Sequence, residues 1–385
     1  MAVTASWRIV MAVWGIVAHG LVKKGPYGAD NLMHRGWPAN PLTYLVDAGV
    51  RMDGFWYAGI ARHGYAYASG LLKSIAYFPL YPALIKAVSL VFGNVYVAGM
   101  LISTVSLFVA IWALQAWLDQ RGFGSSSALA AGLMLCFPVG FFWAAMYTES
   151  LFLALALGAF VFFERDRWLL SSACAFLAVL CRPTGLILAP ALALLAAAEL
   201  SRFRFLNSKI AEDSDSRPAP RDPQSAWWGK FLPFAPAVAG PLAYAAFALY
   251  QWIAFGNPLA TVKADQAPPF SRNLGQALSD LTLHRPGFPP WYLAGLLVLG
   301  LAFLAAVPLV YRRFGAGYAL FAALAVLLPM STGLVSLERY VLIDFPVFAA
   351  LALVKRRVLP VALAALGFYL CVGLFTLFVN GYTII

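Results

Sequence analysis

From residue 94 onward the chain is a succession of apolar runs broken by short polar connections, and that pattern leaves few folds open to it. A helix needs about 20 mostly apolar residues to cross the hydrocarbon core of a bilayer, and shorter ones are tolerated when their ends snorkel or the bilayer thins. On that measure the candidate spans are eleven: 5–22, 94–118, 126–146, 149–163, 168–181, 183–199, 231–255, 291–311, 317–331, 340–354 and 359–380. With 62% hydrophobic residues, 11% charged residues and a mean hydropathy of +0.78, the chain lies far outside soluble averages. The expected fold class is an all-α integral membrane protein, a polytopic helical bundle of about 11 spans.

The net charge of +11 is spread as short clusters beside apolar runs, the way cytoplasmic helix ends are marked, and forms no patch suited to nucleic acid. Cys136, Cys174, Cys181 and Cys371 lie inside apolar runs without metal or redox spacing and read as small buried residues. No small-residue cleavage site follows the first apolar run before Lys23-Lys24, so it reads as a retained span. Residues 76–92 carry Pro79, Pro82 and Lys86 and read as an amphipathic segment on the membrane surface rather than a span. Arg182-Pro183 separates two short runs, which form either two half-length spans or one kinked helix.

Placing the N-terminus inside puts Arg121, Arg165, Arg167, Arg312, Arg313 and Lys355-Arg356-Arg357 on the cytoplasmic face, as the positive-inside rule asks. A long first external loop, 23–93, then shares the outer face with Glu149, Arg182, Arg339 and a second external loop, 257–290. The Pro/Ser-rich charged stretch 207–225, at the centre of segment 200–230, reads as a flexible cytoplasmic linker.

The polar exception to the pattern is Arg51-Met52-Asp53-Gly54-Phe55-Trp56-Tyr57-Ala58-Gly59-Ile60-Ala61-Arg62-His63-Gly64-Tyr65, followed by Tyr77-Phe78-Pro79-Leu80-Tyr81-Pro82. Asp53 lies in what reads as loop, and its aromatic neighbours would shift an acid toward general-base use; a capping role is the bland alternative. Asp47 is the runner-up, and Glu149, opening a helix, is either a site acid or a complement to the helix dipole. Arg182 lies between two apolar runs, so it needs a partner, either an anionic lipid phosphate or Glu149. Arg339 poses the same choice, with Glu338 or Asp344 as its internal partners, while His63 and Tyr65 are either sugar contacts or surface groups.

These residues carry a resemblance. The stretch from Asp53 to Tyr65, and then Tyr77 to Pro82, resembles the first luminal loop of the PIG-V-like mannosyltransferases, relatives of GPI mannosyltransferase 2. Tyr147-Thr148-Glu149-Ser150-Leu151-Phe152, Arg182-Pro183-Thr184-Gly185, Gly256-Asn257-Pro258-Leu259-Ala260, and Arg339-Tyr340 with Phe345-Pro346 match further, in family order and over nearly the whole chain. The resemblance implies a GT-C fold with surface helices in the first loop, a polyprenyl-phosphate mannose donor, and an aspartate of that loop as base, which by position is Asp53. Its donor phosphate and sugar contacts would be Arg182, Arg339, His63, Tyr65, Tyr81, Glu149 and Tyr340. The family's tryptophan before the aspartate is Met52 here, its Pro-Arg-Tyr is Glu338-Arg339-Tyr340, and the tryptophan expected after Pro258-Leu259 is missing.

The function expected is that of an inverting glycosyltransferase moving mannose or another hexose from a polyprenyl phosphate to a lipid or glycan acceptor hydroxyl on the outer face. The setting expected is a bacterial plasma membrane, or the luminal face of the endoplasmic reticulum in a eukaryote. No nucleotide or redox cofactor is expected, and one clear aspartate makes a poor cage for a divalent metal. Two rival classes are a transporter or flippase of lipid-linked sugars and a non-catalytic membrane subunit. The first would show paired broken helices in two related halves, and the sequence displays one break, at Arg182-Pro183.

Overall fold

A computed structural model describes residues 1–65, 72–213, 231–266, 272–285 and 287–383. Among them all regular structure is helical apart from one isolated bridge between Arg285 and Phe288. After α1 (Ala2–Val17) the first connection forms three helices of its own, α2 (Pro41–Gly49), α3 (Asp53–His63) and α4 (Leu80–Phe92). Local chemistry sets these starts and stops. The Asn40 side chain accepts the Thr43 N–H at 2.9 Å while Pro41 takes the first turn of α2, and Gly93, at φ 66°, closes α4. At 13 residues α4 is too short to span, as the reading of 76–92 expected; Tyr81, Pro82 and Ile85 face inward, and Leu90 and Val91 are exposed.

The bundle proper follows as α5 (Val95–Gln120), α6 (Ser127–Leu135), α7 (Glu149–Phe163), α8 (Trp168–Cys181), α9 (Leu188–Asp213) and α10 (Ala235–Phe255). Beyond the short α11 (Ala260–Gln266) and α12 (Leu274–Leu281) come α13 (Pro290–Phe314), α14 (Ala316–Met330), α15 (Leu337–Val341), α16 (Phe345–Ala352) and α17 (Val358–Val379). Among the described residues five segments are long and apolar enough to cross a membrane: Val95–Gln120, Pro183–Ser201, Leu232–Phe255, Pro290–Phe314 and Val358–Val379. The protein is an integral membrane protein by that measure, and the expected eleven spans reduce to five of full length. The shortfall has two physical causes. Helices α1, α7, α8 and α14 have 16, 15, 14 and 15 residues, about 21–24 Å against a core of about 30 Å. The other cause is backbone continuity. Expected span 126–146 is α6, a break, and a single tight turn over Gly140–Trp143, while 340–354 is split at Asp344 between α15 and α16.

A third break lies at Arg182, whose backbone is extended. A Cβ on Gly185 would lie 2.7 Å from the Ala178 carbonyl carbon, whereas a continuous helix would separate positions seven apart by about 10 Å. The chain therefore doubles back, and α8 and α9 are two helices rather than one kinked one. Where the sequence displays one broken helix, the described residues show three such breaks. Helix α9 runs on through the first residues of the expected 207–225 linker to Asp213, and the remainder of that linker lies outside the described residues.

Helix α7 packs against α5 and α8 with most of its side chains buried. At its C-terminal end Glu164 accepts hydrogen bonds from Arg121 and Tyr318, and Trp117 donates to the Tyr318 hydroxyl at 2.9 Å. This staple fixes the axial position of α7 and, through it, of Glu149 at the other end.

The charge distribution predicts sidedness. In a background lacking the native cysteines, exposed Lys86→Cys should react with an impermeant maleimide on intact cells and exposed Lys355→Cys only after permeabilisation. The reverse pattern would place the first connection inside.

Candidate active site

Each of the three helix breaks delivers one charged residue to a common cluster. Glu149 follows the first, Arg182 forms the second, and Arg339 precedes the third; Asp53, from the first connection, completes it. Irregular backbone at membrane depth is tolerated where it is enclosed by protein or lines a polar cavity, so breaks of this kind mark where a helical bundle keeps its polar groups.

Asp53 is the first residue of α3 rather than a loop residue, and Met52 before it adopts φ 43°, a conformation L side chains rarely take. The approach to α3 is tied to the approach to α7. The Met146 N–H donates to the Gly49 carbonyl at 2.8 Å, and the Tyr147 hydroxyl donates to the Arg51 carbonyl at 3.2 Å. These bonds bring Asp53 and Glu149 to the two sides of one guanidinium. Arg339 donates from Nη1 to Asp53 Oδ2 at 3.0 Å, and from Nε and Nη2 to Glu149 Oε1 at 3.0 and 2.9 Å. Its guanidinium also lies 4.7 Å from the ring centroids of both Phe142 and Tyr147.

Arg182 Nη1 is 3.1 Å from Glu149 Oε1, the salt bridge weighed from sequence, though that nitrogen forms no hydrogen bond of good geometry. Arg182 and Arg272 both stack on Tyr340, with guanidinium carbons 5.3 and 5.1 Å from the ring centroid, and Arg272 donates to the Tyr340 hydroxyl. Tyr77 donates to Asp53 Oδ1 at 2.9 Å. Burial, reinforced by the Asp53 carboxylate, pushes the Tyr77 phenol well above its ordinary value, so it serves as a donor. Accessibility sorts the carboxylates. The Glu149 side chain is 0% exposed and that of Asp53 23%, so Asp53 alone has a face toward an incoming molecule.

The remaining sequence candidates fall elsewhere. Asp47 is fully buried, hydrogen-bonded to His19 at 2.9 Å, to the Leu32 N–H at 2.7 Å and to Arg51, whose guanidinium also donates to the Val379 carbonyl at 2.7 Å. It holds the chain ahead of α3 in place and has no free face for chemistry. His63 is exposed at the far end of α3, about 15 Å of helix from Asp53. Tyr81 is fully buried and donates to the Gly99 carbonyl at 3.0 Å, and Tyr65 donates to the Tyr77 carbonyl at 2.7 Å while its ring meets Phe247 and Tyr250, so both are supports. Glu338 is turned away from Arg339 toward Tyr292, whose hydroxyl it accepts at 3.0 Å, and neither carboxylate oxygen of buried Asp344 has a hydrogen-bond partner among the described residues. Sequence reasoning missed Tyr77 and Arg272 as site members. Both lie in stretches it singled out, but spacing carries no sign of contacts 24 and 68 residues away.

No family model matches the chain, and no curated protein does. Among solved structures it is similar to the oligosaccharyltransferase of Archaeoglobus fulgidus in its apo form, at 12% identity and a TM-score of 0.45 over 99% of this chain and 57% of that one. It is likewise similar to the archaeal oligosaccharyltransferase AglB from the same organism in complex with an inhibitory peptide and a dolichol-phosphate, at 11% identity and a TM-score of 0.45 over 98% and 55%. The chain thus spans little more than half the length of these proteins. At that TM-score the likeness decides neither fold family nor chemistry.

Asp47 generates a prediction about stability. Burial alone would push its carboxyl up, but hydrogen bonds from His19 and Arg51 outweigh burial and hold it at about 2, below the ordinary 3.8. The resulting stability, about 2 kcal/mol, is fully present above pH 4 and lost as the pH falls toward 2. Asp47→Asn leaves the Arg51 guanidinium buried without its counter-ion and should cost about 3–5 kcal/mol, read as a fall in melting temperature, with kcat per folded molecule retained. Wild-type stability with no activity would move the chemistry to Asp47.

Proposed function

We propose that this protein is a membrane glycosyltransferase that moves a hexose, mannose by resemblance, from a polyprenyl phosphate to an acceptor hydroxyl on the outer face. The observation that carries the reading is the site's composition: one partly open carboxylate, Asp53, 3.0 Å from a guanidinium, with a second guanidinium across Glu149. Sugar transfer from a lipid phosphate asks for those groups and little else. A carboxylate takes the acceptor's proton as its oxygen bonds to the anomeric carbon. The bond from that carbon to the phosphate oxygen breaks with its electron pair, and cations stabilise the charge gathering on the leaving phosphate. A single displacement of this kind inverts the anomeric centre.

In this reading Asp53 is the base, Arg182 and Arg339 hold the phosphate, Tyr340 with Arg272 lines its approach, and the apolar bundle takes the polyprenyl chain. Tyr77 orients the base by holding Oδ1. Glu149 is too enclosed for the acceptor to reach and serves by holding both arginines. The resemblance of Asp53–Tyr65, Arg182–Gly185 and Arg339-Tyr340 to the PIG-V-like mannosyltransferases supports the same assignment, with Met52 and Glu338 as departures that bear on acceptor and sugar.

The test is transfer of radiolabelled mannose from polyprenyl phosphate by the purified chain. Asp53→Asn preserves shape and removes the basic lone pair, so kcat should fall by about 10²–10⁴. Wild-type turnover by Asp53→Asn would refute its role as base. Arg182→Lys keeps the charge but loses the planar fork. A phosphate contact worth about 1.5–3 kcal/mol should then raise the donor KM about ten-fold or more. Unchanged kinetics with a lowered melting temperature would confine Arg182 to its salt bridge with Glu149.

A further inference from the structure

As it stands the cluster resists the chemistry just described. Both oxygens of Asp53 already accept hydrogen bonds, Oδ1 from Tyr77 at 2.9 Å and Oδ2 from Arg339 at 3.0 Å. A proton arriving at Oδ2 would come in against a guanidinium. The charges also cancel, since Asp53 and Glu149 offset Arg182 and Arg339 through contacts of 2.9–3.1 Å. Arg272, on the Tyr340 ring, is a further cation of the site, but a phosphate that binds Arg339 itself must still take that guanidinium from a carboxylate. The two contacts of Arg339 are unequal in this respect. Two of its nitrogens hold Glu149 and only one holds Asp53, and Glu149 Oε2 has no hydrogen-bond partner among the described residues. Arg339 can give up Asp53 and remain held by Glu149.

We infer that the Asp53–Arg339 ion pair is a latch that the donor phosphate opens. The phosphate of a polyprenyl-phosphate donor draws Nη1 of Arg339 off Asp53, and only then is Oδ2 free to accept the proton of the acceptor hydroxyl. Glu149 is the positioning residue that anchors Arg339 through the exchange, and Tyr77 keeps Asp53 oriented when Arg339 leaves. The consequence is a binding order, donor before acceptor, so the base is unmasked only when there is a phosphate-bound sugar to transfer. The proposal rests on the reading of Asp53 as base and Arg339 as phosphate ligand. Because coupling between bound groups is reciprocal, whatever the phosphate must displace to bind lowers its affinity, and removing that competitor must raise it.

That reciprocity is measurable without turnover, by calorimetric titration of the full-length protein in detergent with farnesyl phosphate. Asp53→Asn, which frees Arg339, should bind the probe at least about five-fold more tightly than wild type, although it is the variant expected to be inactive. The same substitution in an Arg339→Gln background should give no gain, because there is no latch to open. If Arg339→Gln does not fold, Arg339→Lys serves, since a lysine cannot bridge both carboxylates and should abolish most of the gain. An equal gain in both backgrounds would show that Asp53 merely repels the probe through space, and no gain in the wild-type background would show that the phosphate does not compete for Arg339. Either result overturns the latch while leaving the donor site intact. Failure of every form, wild type included, to bind farnesyl phosphate overturns the donor reading itself and the latch with it.

Discussion

A guanidinium largely withdrawn from water needs counter-charges inside the protein, and Arg339 finds two that the chain supplies from far apart. Asp53 lies 286 residues before it and Glu149 190 residues before it, yet all three meet within 3.0 Å. Leaving Glu149 or Arg339 unpaired would strand a largely buried charge, which is among the most destabilising defects a fold can carry. The helix breaks follow from this constraint. An unbroken bundle of apolar helices would have nowhere to hold four charged side chains, whereas three interruptions open three corners of the bundle toward one point.

Precision at that point depends on supports that never touch it. Asp47, His19 and Arg51 lock the chain ahead of α3 and join it to the Val379 carbonyl near the C-terminus. Met52, at φ 43°, and Ser336, at φ 74°, immediately precede the helices that present Asp53 and Arg339. Non-glycine residues in such conformations persist where surrounding structure over-determines them, and they cluster at functional sites because the strain fixes direction. The staple of Glu164 with Arg121 and Tyr318 does for α7 from its other end what the Asp47 knot does for α3.

Much of this was legible in the sequence. Apolar runs place helices because hydropathy and helix length share one scale, and all five full-length spans fall on runs read from composition. Charged residues in apolar surroundings stand out because they are expensive there, which is why Asp53, Glu149, Arg182 and Arg339 are all visible in the sequence. What composition does not carry is continuity and direction. Residues 126–146 and 340–354 are as apolar as a span but broken in the backbone, and Asp47 and Asp53, six positions apart in the same polar stretch, point to opposite fates. One is sealed in a structural knot and the other faces the opening. The pairing of Arg339 escaped too, because nearby Glu338 and Asp344 are the obvious partners in sequence, and only the fold turns Arg339 toward Glu149 and Asp53.

The central claim is that Arg339 exchanges a carboxylate for a phosphate in a single site. It is tested most directly by a cryo-electron microscopy structure of the wild-type protein with farnesyl phosphate bound, at a resolution that shows side-chain carboxylates and guanidiniums. The account predicts the phosphate within hydrogen-bond distance of Arg182 and Arg339, Arg339 still held by Glu149, and Asp53 Oδ2 no longer bonded to Nη1. A phosphate bound elsewhere, with the Asp53–Arg339 pair intact at about 3.0 Å, would contradict it.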